Sequence, residues 1–138
     1  MITVAWDKKF ELGHERIDFE HRVFLDLIQA VAKLSETNAD PARVGRTLSE
    51  LLKYADFHFL SEENLMEDIH YPAIEEHRRE HRMLLTQLSE AINQSIHGET
   101  RLEAIVEFLY RWFALHTTQV DKRLTSYIAE QGATPGGQ

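Results

Sequence analysis

Apolar side chains recur along this chain with helical period almost from end to end. Phe24, Leu27, Ile28, Val31 and Leu34 repeat at three- and four-residue intervals and predict a helix over about 18–37, with Asp18 as its cap. The run Thr37-Asn38-Ala39-Asp40-Pro41 reads as a loop that ends in an N-cap and a proline at the first helical position. Val44, Leu48, Leu51, Leu52, Ala55 and Phe59 then mark one face of a second helix, from 41 to about 65. Pro72 restarts the chain, and Ile74, His77, His81, Leu84, Leu85, Leu88 and Ile92 carry a third helix over about 72–96, where Gly98 supplies a left-handed stop. Thr100 and Glu103 form a capping box for a fourth helix, whose buried stripe is Leu102, Ile105, Val106, Leu109, Trp112, Phe113 and His116. No strand-type alternation competes.

The expected fold class is all-α: an up-down-up-down four-helix bundle. An irregular N-terminal arm carrying Trp6, Phe10 and Gly13 precedes it, and a short C-terminal helix, Lys122 to Glu130, follows a break near 117–120. At 138 residues, with 43% hydrophobic positions, the chain suits one domain with one core, expected over residues 1–131. Residues 132–138, with three Gly and a Pro, read as a loose tail.

Composition narrows the chemistry. A net charge of -8 is the wrong sign for nucleic acid or an anionic membrane surface, so neither is an expected partner. The first residues lack the layout of a secretory signal, and no apolar run approaches the roughly 20 residues that cross a bilayer. A cytoplasmic monomer is therefore expected. The absence of cysteine removes disulfides, thiolate metal sites and cysteine nucleophiles, leaving histidine and carboxylate as metal-binding vocabulary. Eight histidines make that vocabulary plentiful.

A lone histidine on an apolar helix face is usually a hydrogen-bonded core residue, but here the inner faces carry several. His58 and Glu62 stand four apart on the second helix, and His77 and His81 four apart on the third, a spacing that stacks side chains one turn above each other. His21 falls on the inner face of the first helix and His116 on that of the fourth. Five neutral imidazoles would each need a hydrogen-bond partner, and a buried carboxylate would cost several kcal/mol unless a positive group met it. Metal ions remove both difficulties together. Asp121 is the seventh candidate, yet five residues separate it from His116, which on an uninterrupted helix turns the two side chains apart by about 140°. The spacing predicts a bulge or break between them, with the β-branched pair Thr117-Thr118 as its place. Asp121 could equally cap a separate C-terminal helix. Five imidazoles and two carboxylates exceed the four ligands of a zinc site and suit two carboxylate-bridged ions, iron before manganese.

Those residues carry a family resemblance. Trp6 and Gly13 in the arm, Ile17-Asp18-x-x-His21, His58-x-x-x-Glu62 followed by Glu63, Leu65 and Met66, Tyr71-Pro72, His77-x-x-x-His81 and Trp112-x-x-x-His116-x-x-x-x-Asp121 together resemble a single-domain bacterial hemerythrin from Trp6 to about Tyr127. The resemblance implies a non-haem di-iron centre that binds dioxygen reversibly, as a carrier, store or delivery protein rather than an enzyme. It implies one iron on His77, His81 and His116 and another on His21 and His58. Glu62, Asp121 and a solvent-derived oxygen would bridge them, and the second iron would hold the open position. Phe24, Leu25, Phe59, Leu84, Trp112 and Phe113 are the expected walls of a dry pocket. The chain departs from the family pattern at Glu20, where a Gln is common, and at Leu84, Phe113 and Thr117; these leave the ligand set untouched. Thr117 is expected to admit water or a hydrogen bond near the centre.

Other patterns compete. Glu11-x-x-His14 and Glu67-x-x-His70 have the ligand spacing of ferritin-like oxidases, but Gly13 and Pro72 keep either from lying mid-helix. His77-x-x-Glu80-His81 matches a zinc-protease pattern, with Glu80 turned away by about 100° onto what reads as solvated surface. His14, His70 and His97 read as surface residues. The same centre could also serve an oxygen or redox sensor acting on a partner, or an enzyme that reduces peroxide or nitric oxide. For a carrier, the expected partner is an oxygen-consuming protein.

Overall fold

The computed structural model describes residues 3–99 and 101–133. After an arm with a single 3-10 turn at Lys8–Phe10, four long segments follow: α1 (Glu15–Ser35), α2 (Pro41–Asp68), α3 (Ile74–Ile96) and α4 (Leu102–Leu115). A π-helical segment, His116–Asp121, joins α4 to α5 (Lys122–Ala133). α1 packs on α2 and α4, α2 on α3, and α3 on α4, closing a ring of four antiparallel neighbours. The expected bundle is the observed one. Among the described residues no helix is long and apolar enough to cross a membrane.

Helix boundaries move where capping chemistry differs from expectation. α1 begins at Glu15, not at 18, because His14 is its N-cap: the Ile17 N–H donates to His14 Nδ1 at 3.2 Å. Asp18 lies inside the first turn and turns back on the arm, accepting the N–H groups of Leu12 (2.8 Å) and Gly13 (3.0 Å). Gly13 has φ +87°, which lets the arm bend sharply into the helix. Asp40 caps α2 ahead of Pro41, as the sequence predicts, and accepts from Ala42 N–H. α2 runs to Asp68 and so keeps Met66 in the core, while Tyr71, Pro72 and Ala73 form a turn that delays α3 to Ile74. Gly98, at φ +75°, is the left-handed stop after α3. The expected capping residue Thr100 and residues 134–138 of the expected tail lie outside the described residues, whereas Gly132 and Ala133, expected in that tail, close α5; Arg101 holds the N-cap position of α4 without a side-chain capping bond.

The core divides in two. The larger cluster gathers Phe10, Phe24, Ile28, Leu51, Phe59, Leu84, Leu88, Leu109 and Phe113; the smaller holds Ile17, Met66, Tyr71 and Leu124. On every helix the candidate residues fall between contributors to these two clusters: His21 between Ile17 and Phe24, Glu62 between Phe59 and Met66, His77 between Tyr71 and Leu84, and His116 between Phe113 and Leu124. A polar layer is thereby enclosed by apolar packing above and below, where charges interact far more strongly than in water.

Candidate metal centre

All seven residues singled out in the sequence are buried and meet in that layer. Glu62, His77, His81, His116 and Asp121 present donor atoms within 4.8 Å of one another, and His21, His58 and Glu62 form a second such group. The two carboxylates face both ways. Glu62 Oε1 lies 3.1 Å from His77 Nε2 and 3.2 Å from His81 Nε2, while its Oε2 lies 3.4 Å from His21 Nε2 and 3.3 Å from His58 Nε2. Asp121 repeats the division. Its Oδ1 is 3.0 Å from His77 Nε2 and 3.2 Å from His116 Nε2, and its Oδ2 is 3.1 Å from His21 Nε2.

Asp121 joins the group because residues 116–121 are wound as a π-helix. Closing a turn over five residues rather than four brings His116 and Asp121 onto one face, as their spacing predicted. Thr118 Oγ1 donates back to the Ala114 carbonyl at 2.7 Å, and Thr117, on the first turn of the segment, is buried.

The donor set fits a cation. Both oxygens of Glu62, both of Asp121 and the Nε2 atoms of His77, His81 and His116 are buried without a hydrogen-bond partner; their close approaches lack hydrogen-bond alignment. Buried polar atoms almost always find partners, so this concentration of unpaired ones marks a place where positive charge belongs. Protons can supply part of it. Burial opposes charge on His21 and His77, but the Asp121 and Glu62 carboxylates, 3.0–3.4 Å away, outweigh it and raise both to about 10. Burial likewise opposes ionisation of Glu62 and Asp121, yet the imidazoles around them hold both carboxyls below the usual range.

A further set of carboxylates, which the sequence reading did not place at the centre, grips the far side of three imidazoles. His58 Nδ1–H donates to Glu20 Oε1 at 2.8 Å, His81 Nδ1–H to Glu63 Oε2 at 2.8 Å, and His116 Nδ1–H to Glu80 Oε1 at 3.2 Å. Protonation at Nδ1 leaves the Nε2 lone pair free for an ion, the arrangement that histidine ligands need. Glu80 is thus not simply solvated surface: it is half-exposed and spans from α3 to His116. The signal for these three was the need of each buried imidazole for an acceptor. Rings shield the same histidines. Phe59 stacks on His81 with centroids 4.0 Å apart, Trp112 stacks on His116 at 4.3 Å, Phe113 meets His21 edge-on at 5.6 Å and Phe24 meets His58 at 6.1 Å. The expected wall residues Leu25 and Leu84 are buried in the adjoining core.

The competing patterns have other duties. His14 caps α1, His70 sits exposed at φ +55° after α2, and Glu67 pairs with Arg78 at 2.7 Å. None joins the donor groups.

Comparison with known proteins agrees with the geometry. Bacteriohemerythrin of Ralstonia nicotianae is 29% identical over 96% of this chain and 93% of its own length, and bacteriohemerythrin of Stenotrophomonas maltophilia is 28% identical over 93% and 83%. Myohemerythrin of Riftia pachyptila is 26% identical over 85% and 87%. A crystal structure of wild-type hemerythrin superposes with a TM-score of 0.81 at 23% identity, covering 88% of this chain and 95% of that one, a likeness that shows the fold. The Hemerythrin HHE cation binding domain matches residues 12–128, nearly the whole bundle, and the chain belongs to that family.

Proposed function

We propose that this chain holds two iron ions and binds dioxygen reversibly at them. The observation that carries the reading is the double-facing geometry of Glu62 and Asp121, each of which turns one oxygen toward the His77 side and the other toward His21. His77, His81 and His116 would hold one ion and His21 and His58 the other, with Glu62 and Asp121 bridging. Three imidazoles against two leave the His21–His58 side short of one ligand, and that is the position dioxygen would take. Iron, when bound, supplies the electrons that dioxygen draws on and returns. The donors contain nitrogen and oxygen without thiolate, which suits that metal.

The protein's own contribution is enclosure. Phe24, Phe59, Trp112 and Phe113 surround the imidazoles and keep bulk water and stray protons from the bound gas, conditions under which it leaves as dioxygen rather than as a reduced product. The carboxylates nearest the cluster, Glu20, Glu63 and Glu80, are each engaged with an imidazole Nδ1. A carrier needs no free general acid or base.

The test is an absorption spectrum of the anaerobic, iron-loaded protein before oxygen, after oxygen and after its removal. Charge-transfer bands that rise with oxygen and vanish on deoxygenation are expected. A ferric spectrum that forms at once and never reverts would move the protein from carriage to an oxidase or peroxidase role.

A further inference from the structure

The two halves of the cluster are held from behind in different ways. On the His77–His81–His116 side, the carboxylates that grip imidazole are open to solvent: the Glu63 side chain is 20% exposed and that of Glu80 38%. On the His21–His58 side, Glu20 is 10% exposed. His21 Nδ1, the other outward nitrogen on that side, is buried with no acceptor. Among the described residues, any influence passed through an imidazole of that half therefore runs through the pair His58 and Glu20.

Glu20 is itself anchored. Its Oε1 takes the His58 Nδ1–H, while its Oε2 accepts Ser61 Oγ–H at 2.9 Å and Arg16 Nε–H at 3.4 Å. Ser61 accepts Arg16 Nη2–H at 2.6 Å, which leaves its single proton for Glu20. Tyr54 lies parallel to the His58 ring and donates its hydroxyl to the Glu20 main-chain carbonyl at 2.9 Å, fixing the backbone of α1 against α2. A line of hydrogen bonds thus runs from His58 through Glu20 and Ser61 to Arg16, whose side chain is 55% exposed.

We infer that Glu20, steadied by Ser61 and Arg16, is a positioning residue that fixes the Nδ1–H form of His58 and sets how readily an iron ion on His58 gives up an electron. The inference rests on the proposed di-iron reading. Its physical basis is the carboxylate–histidine–metal arrangement, in which a carboxylate drawing on the outer N–H makes the inner nitrogen a stronger donor and favours the higher oxidation state. Burial strengthens the effect for Glu20 over Glu63 and Glu80, whose charge water screens. Ser61 and Arg16 work against it, since each hydrogen bond they give Glu20 reduces what the carboxylate offers His58. Residues on the same chain of hydrogen bonds therefore act with opposite sign, which a purely structural role would not produce.

The experiment compares wild type, Glu20→Gln, Glu20→Asp and Ser61→Ala, each loaded with ferrous iron without oxygen. Iron per chain is counted first, and the ferric–ferrous equilibrium is then titrated. Two ions per wild-type chain are required; fewer would overturn the centre itself, and this is seen before any variant is made. With two ions present, Glu20→Gln should shift the equilibrium of one ion about tenfold toward ferrous, or about 59 mV for one electron. Ser61→Ala should shift it toward ferric, and Glu20→Asp should recover part of the wild-type value. Shifts of the same sign in Glu20→Gln and Ser61→Ala, or none in either, would overturn the role. If Glu20→Gln loses iron, Ser61→Ala decides alone: a ferric shift supports the role, and its absence overturns it.

Discussion

Asp121 Oδ1 lies 3.2 Å from His116 Nε2 although the two residues are five apart on what is otherwise one helical rod, because the chain between them is wound as a π-helix. Such a segment amounts to one extra residue inside an α-helix, and it sits beside a candidate functional site as these segments often do. Gln119, exposed on the outside of the segment, is the residue to remove. Its deletion should return the stretch to α-helical winding, place His116 and Asp121 at i, i+4 spacing on one face, and keep two ions per chain with α5 in register. Iron content and circular dichroism check this. Loss of iron with a fully helical spectrum would mean that the wider turn itself, and not merely a shared face, is needed.

Glu62 is the carboxylate common to both donor groups, approached by four imidazole nitrogens at 3.1–3.4 Å. Glu62→Ala should therefore lower iron from two ions to at most one per chain and reduce thermal stability at the same time, because the imidazoles were packed around charge that is no longer there. Glu62→Gln should keep more of the fold than Glu62→Ala while still losing iron. Metal analysis beside a melting curve separates the two effects, and an unchanged iron count in Glu62→Ala would remove Glu62 from the centre.

The helices were legible because apolar period is a local property: Leu48, Leu51, Ala55 and Phe59 lie on one face whatever they pack against. The π segment was legible for the same reason in reverse, since the five-residue gap from His116 to Asp121 clashes with the period around it. Capping was less so. Asp18 looks like the better cap for α1, but His14 reached the Ile17 N–H first and left Asp18 to hold the arm. Glu20, Glu63 and Glu80 could not be placed by spacing at all, because each meets an imidazole on a different helix: Glu20 and His58 are 38 residues apart, Glu63 and His81 18, Glu80 and His116 36. A sequence shows that such acceptors must exist; only packing shows which residues they are.

Protonation of the cluster gives a pH signature. In a sample stripped of metal by chelation, His21 and His77, raised to about 10 from an ordinary 6.5, contribute stability that is fully present below pH 6.5 and is lost as pH rises through about 10. Glu62 and Asp121, lowered from 4.5 and 3.8, contribute stability present above those values and lost as pH falls below them. The stripped protein should thus melt highest between pH 4.5 and 6.5. Metal displaces the same imidazole protons, so adding ferrous ions at pH 7 to 8 should release protons and bind more tightly as pH rises. Melting curves across pH and an indicator-dye measurement of proton release test both halves; a melting temperature that climbs from pH 7 to 10 would contradict the assignment.

Phe113 ties the larger core to the centre. It is 1% exposed and meets Phe10 at 5.1 Å, Phe24 at 5.8 Å and His21 at 5.6 Å, all edge-on. Phe113→Ala removes the ring that covers the side of the cluster with fewer imidazoles and should destabilise the fold by about 3–5 kcal/mol, the usual range for a buried phenylalanine. The cavity left next to His21 is bordered by polar donors and so admits water, unlike a purely apolar one. Ferrous protein in air should then turn ferric faster in Phe113→Ala than in wild type, with Phe113→Leu between them. Denaturant unfolding measures the first effect and the rate of ferric colour development the second. If Phe113→Ala lost the expected stability while its rate of oxidation stayed at the wild-type value, the ring would be packing for the core alone, and the dry enclosure that the proposed reversible binding requires would have to come from Phe24, Phe59 and Trp112.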